Sequence, residues 1–95
     1  MKANQKFDID ELKSPGDIQF AKLSQEEEAS GMYYICPCGC SKMGYLPFMG
    51  GKYSTNIEPQ WNFNKDENCP SITPSILDKR CGYHGYLTNG NFEAC

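Results

Sequence analysis

Ninety-five residues allow one small domain, and a formal net charge of −3 supplies no basic face for gripping phosphate backbones. Hydrophobic residues make up 39%, low for a self-sufficient core, and the 13% of aromatic residues compensate only in part. No run approaches the ~18 apolar residues of a membrane span, and Met1 to Lys13 lacks the apolar stretch of a secretory signal, so the expectation is a cytoplasmic protein.

Residues 1–16 are polar and charged and read as a flexible N-terminal segment, with at most one helical turn near Asp10–Lys13 before Ser14-Pro15-Gly16 ends it. Residues 17–95 read as a zinc-binding β domain. Asp17 to Leu23 alternates, placing Ile18, Phe20 and Leu23 inward on a strand. Ser24-Gln25-Glu26-Glu27 has capping-box spacing and predicts a short helical turn closed by Gly31. Met32–Ile35 is a second strand that feeds into Cys36-Pro37-Cys38-Gly39-Cys40, and Gly44–Phe48 returns from it. Gly50-Gly51 is a turn, followed by a polar stretch to residue 60. Gln60–Asn64 alternates again, with Trp61 and Phe63 on one face as core residues. Pro70 to Leu77 contains two prolines and reads as an extended edge segment.

Asn89-Gly90 between two strand-like runs is the strongest short-range hairpin signal. A two-residue type I′ turn pairs Thr88 with Asn91 and Leu87 with Phe92. Continuing that ladder puts Tyr86 opposite Glu93 and His84 opposite Cys95, all four on one face.

Six cysteines in so short a chain, without a secretory signal, argue for metal ligands rather than a disulfide framework. Cys36, Cys38 and Cys40 are too closely spaced for separate bridges. A second cluster, Cys81-Gly82-Tyr83-His84-Gly85, again combines soft ligands with glycine, which lets the backbone bend until two side chains converge on one ion. A pair from the first cluster with Cys81 and His84 makes a Cys3His set suited to tetrahedral zinc. Which of Cys36, Cys38 and Cys40 take part is open. Cys69 reads as a small buried residue, the hairpin register brings the terminal Cys95 near His84, and whether either contributes to the site is open. A single histidine leaves no Ser/His/Asp arrangement to argue, and no paired-carboxylate site or phosphate loop is present.

Cys81-Gly82-Tyr83-His84-Gly85 resembles the second box of Rieske-type domains, and the first cluster resembles their first box with a cysteine in place of the histidine. An ordinary Rieske cluster needs two histidines and is excluded, while a three-cysteine, one-histidine [2Fe–2S] site of the mitoNEET type remains an alternative to zinc. Over residues 30–93 the chain is also similar to a family of small, uncharacterised phage and bacterial proteins. The similarity rests on Cys-Pro-Cys-Gly-Cys (36–40), Trp61, Pro74-Ser75-Ile76 and the Cys-x-x-His followed by an Asn-Gly hairpin (81–92). Some members are encoded beside bacterial ubiquitin-like conjugation genes and others in phage genomes. The resemblance implies a mostly β, Rieske-like or zinc-ribbon-like single domain, stabilised by metal on Cys36, Cys38 or Cys40 with Cys81 and His84. It implies no established activity. The expected function is a non-catalytic, zinc-held interaction module, such as a phage protein engaging or inhibiting a host protein, with a [2Fe–2S] electron-transfer domain as the alternative.

Overall fold

The computed structural model describes residues 1–21, 29–49 and 60–94. They form a mostly β, single small domain of two four-stranded sheets. The first sheet runs in chain order. It contains β1 (Asn4–Gln5), β2 (Asp17–Ala21), β3 (Gly31–Ile35) and β4 (Met43–Pro47). β1 lies parallel to β2, and the other pairings are antiparallel. The second sheet is antiparallel, also in chain order: β5 (Asn62–Phe63), β6 (Ile72–Asp78), β7 (Tyr83–Thr88) and β8 (Asn91–Ala94).

The alternation of the sequence sets the core. Ile18 and Phe20 of β2, Met32 and Tyr34 of β3, and Leu46 of β4 are buried from one sheet. Ile72, Ile76, Leu87 and Phe92 are buried from the other. Fully burying an aliphatic side chain contributes about 1.5–3 kcal/mol. Trp61 and Phe48 lie where the sheets meet. A parallel bridge joins the two residues, and Phe63 stacks on both Phe20 and Phe48. Trp61 thus serves as a core residue, as its pattern predicts.

The C-terminal hairpin has the expected register, with Thr88 opposite Asn91, Leu87 opposite Phe92 and Tyr86 opposite Glu93. Asn89 and Gly90 both take positive φ, 48° and 79°, which a type I′ turn demands and most side chains resist. Along β7, Tyr83, Gly85 and Leu87 are buried while His84, Tyr86 and Thr88 face outward.

Near the N-terminus, Ile9–Glu11 forms a single 3-10 turn. Asn4–Gln5 pairs with β2, and Lys2 bridges to Asn91 of the other sheet. The helical turn expected after Ser24, the Gly50-Gly51 turn, Leu23 and Cys95 lie outside the described residues.

Two expectations are corrected. The Pro70–Leu77 segment is not an edge throughout: β6 sits between β5 and β7, and is open on the β5 side only past Thr73. Pro74 is tolerated there because β5 reaches only Ile72 and Thr73, and the pairing with β7 shifts register between Ile72 and Ile76. An irregularity of that kind is where a strand interior accepts proline. Cys69 is exposed rather than buried. It closes a surface loop in which Asp66 Oδ1 accepts its N–H and Asn64 Nδ2 donates to its carbonyl, while Pro70 takes the buried position.

Candidate metal centre and an adjacent serine–histidine pair

Strand β3 ends at Ile35 and the chain turns at once, with Gly39 N–H bonding the Cys36 carbonyl at 3.3 Å and Cys36 N–H bonding the Lys42 carbonyl at 2.9 Å. This turn gathers Cys36, Cys38 and Cys40. The second turn, between β6 and β7, is closed by Gly82 N–H on the Asp78 carbonyl at 2.8 Å, and Gly82 takes a φ of 77°. It brings Cys81 against the first turn. The Sγ atom of Cys36 is 3.2 Å from that of Cys38 and 3.3 Å from that of Cys81, and Cys38 and Cys81 are 3.4 Å apart. With Cys40, all four sulfurs lie within 4.8 Å of one another.

Asp78 ties the two turns together. Its carboxylate accepts from Arg80 Nε at 2.9 Å and Nη2 at 2.6 Å, and from the buried Tyr34 hydroxyl at 3.2 Å. Arg80 Nη1 also donates to the Met43 carbonyl at 2.9 Å, reaching from one sheet to the other. The Arg80 hydrogen bonds hold the Asp78 carboxyl down at about 2. Burial, with the neighbouring Asp78, pushes Tyr34 well up, so it stays a neutral donor. The clamp fixes the position of Cys81 three residues along the chain.

The donor set fits a cation. Burial pushes the Cys36 thiol up, while Cys38, which accepts a hydrogen bond from Cys36, is lowered to about 7. Four sulfurs at this spacing repel as thiolates unless positive charge sits among them. A tetrahedral zinc with bonds of about 2.3 Å separates its sulfurs by about 3.8 Å, a value between the close pairs and the widest permitted separation here. The four cysteines could therefore hold a metal ion.

His84 has a different neighbour. Its Nε2 lies 2.8 Å from Ser75 Oγ, and its ring faces outward from β7. The strand register explains the placement. His84 pairs directly with Leu77 on β6, which makes Ser75, two residues back, its diagonal neighbour on the same face. The indole N–H of Trp61 donates to the Ser75 carbonyl at 3.3 Å and anchors that stretch of β6. Among the described residues, no carboxylate is hydrogen-bonded to His84.

Sequence reasoning named His84, and quoted Ser75 within Pro74-Ser75-Ile76 without giving it a role. The signal was available: a tight turn at 79–82 flanked by strand-like runs folds Ser75 back toward His84. The Pro70–Leu77 segment, read as an edge, concealed that pairing.

The fold and its thiol cluster define a small, mostly β protein in which four cysteines, drawn from two turns, could hold a metal ion. The chain belongs to a bacterial family: residues 5–95 match the family model described as bacterial ubiquitination-like system serine protease (BubE). That description names neither a Rieske domain nor a phage. No curated protein and no solved structure matches the chain significantly. Among the described residues, no helix is long and apolar enough to cross a membrane.

Proposed function

We propose that this protein is a metal-stabilised serine peptidase, with Ser75 as nucleophile and His84 as its general base. The observation that carries the reading is the 2.8 Å contact between His84 Nε2 and Ser75 Oγ, made by the only histidine in the chain. Nucleophile and base within about 2.6–3.2 Å are the geometric signature of an activated serine. The family description, a serine protease of a ubiquitination-like system, supports the same assignment and suggests a protein-linked ubiquitin-like substrate.

In the neutral ring with its proton on Nδ1, Nε2 accepts the Ser75 hydroxyl hydrogen. As Oγ bonds to the substrate carbonyl carbon, the proton passes to Nε2. The tetrahedral intermediate collapses, the bond to the leaving group breaks, and Nε2 returns the proton to that group. Water then releases the acyl chain by the same exchange in reverse.

In this reading the metal is structural. Cys36, Cys38, Cys40 and Cys81 would hold it, and zinc bound by four thiolates supplies a cross-link between the two turns rather than a reactive water. His84 is left to the serine.

Labelling with an alkyl fluorophosphonate tests the catalytic assignment. Mass spectrometry should place the adduct on Ser75, and His84→Gln should abolish it. Absence of a Ser75 adduct on folded, metal-loaded protein rejects the peptidase. That result would favour the second reading, a zinc-held interaction module engaging a protein partner, which the closed four-thiol set also suits. Elemental analysis separates the metals: one zinc per chain, or two irons with visible absorption for a [2Fe–2S] cluster.

A further inference from the structure

The free edge of β4 ends beside the serine. The outward groups of that strand follow from its bonds. Cys36 N–H bonds Lys42 O, and Phe48 N–H bonds Ser30 O, so even-numbered residues 42–48 turn their backbone groups toward β3. Residues 43, 45 and 47 therefore turn theirs toward the open side. At one end, Pro47 O accepts Trp61 N–H at 2.9 Å. At the other, Met43 O accepts Arg80 Nη1 at 2.9 Å. Between these two caps, the N–H and C=O of Tyr45 have no neighbouring strand among the described residues.

Across from that edge stands β6 beyond Thr73, where β5 no longer covers it. The space between the two strands is a groove of about 650 Å³. Tyr45 and Leu46 line one wall, Pro74, Ser75 and Leu77 line the other, and Trp61 contributes at one end. Leu77 is 53% exposed although apolar, as an uncovered wall of a binding groove would be.

Resting on the peptidase reading above, we infer that this groove takes the substrate as an extended polypeptide segment, added to the edge of β4. Its backbone hydrogen-bonds to Tyr45 N–H and C=O, an apolar side chain rests against Leu77, and its scissile carbonyl reaches Ser75. Strand addition uses backbone donors and acceptors left unpaired at a sheet edge and reads alternate side chains through flanking pockets. A small-molecule ester would use the serine but not the edge.

The test compares two labels of one serine. An alkyl fluorophosphonate reports the nucleophile alone. A mixture of acetylated tripeptidyl diphenyl phosphonates, with apolar or charged residues next to phosphorus, reports nucleophile and groove together. In the wild-type, metal-loaded protein the apolar tripeptides should label fastest. Tyr45→Pro deletes an outward N–H without removing a bond to β3, and edge strands accept proline. It should lower the peptidyl-to-alkyl rate ratio about fivefold, as expected for one lost hydrogen bond. Leu77→Lys, which alters an exposed side chain outside the core, should lower the ratio for apolar tripeptides and raise it for acidic ones. Should Tyr45→Pro fail to fold, Leu77→Lys decides. An unchanged ratio in the folded variants, or no preference for tripeptides over the alkyl probe, overturns the groove while leaving the peptidase standing. A wild-type protein unreactive to the alkyl probe rejects the peptidase itself, and this inference with it.

Discussion

Cys81 and His84 are three residues apart, yet they serve different neighbours. Cys81 sits in the turn, where the chain has left the strand and can be pulled toward the other sheet by the Asp78–Arg80 clamp. His84 is already on β7, where side chains alternate strictly, and the pleat sends it to the outer face beside Ser75. The difference teaches that ligand spacing in sequence reports the convergence of side chains only within one continuous turn. Where a strand begins between two candidate ligands, the pleat decides which of them can point inward.

The strongest way to break this contrast is to remove metal. A chelator, or Cys81→Ser, should release the ion and unfold the domain. Structural zinc supplies on the order of 10 kcal/mol in small finger peptides, more than a thin core can replace. Circular dichroism melts with and without chelator, beside elemental analysis, measure it. The matching control is His84→Ala, which should keep a full metal complement. Loss of metal from that variant would show that His84 is a ligand after all and erase the distinction.

Next in size is the proposed catalytic pair. Ser75→Ala and His84→Gln should each lower peptidase rate by about a thousandfold or more. Their melting temperatures should stay close to wild type, because Ser75 is only half-buried and His84 is exposed. Equal losses of rate and stability would mean that the pair is structural.

Arg80→Met probes the clamp that ties the two turns together. It leaves Asp78, 5% exposed, without its cation. The Arg80 side chain is itself 45% exposed, so water softens the loss to a modest one. The Asp78 carboxyl sits at about 2 in the fold against 3.8 ordinarily. Its stabilisation is therefore complete above the ordinary value and fades as pH falls from there through about 2. Wild type and variant should converge in urea melts across that acid range, and a gap that widens instead would contradict the pairing.

The smallest effect belongs to the far end of β7. Gly90→Ala, at a φ of 79°, should cost about 1 kcal/mol, visible in a urea melt, and leave metal content and labelling unchanged.

Much of the fold was legible in the sequence because its signals are local. Asn89-Gly90 dictated the hairpin and its register, since few residues accept two consecutive positive φ values. The alternation in Asp17–Ala21 and Met32–Ile35 placed Ile18, Phe20, Met32 and Tyr34 inward. The cysteine spacing marked both turns, and the four sulfurs do converge there.

What the sequence left open was decided across the sheets. Spacing alone could not rank Cys36, Cys38 and Cys40, whereas a tight turn at the end of β3 brings all three sulfurs to Cys81. Ser75 met its partner only through the strand register, in which the irregular stretch at Pro74 set its hydroxyl diagonal to His84. A residue's own alternation tells which way it faces, but not what faces it. That second fact depends on strand order and register, which long-range backbone hydrogen bonds and the burial of Ile72, Ile76 and Leu87 fix together.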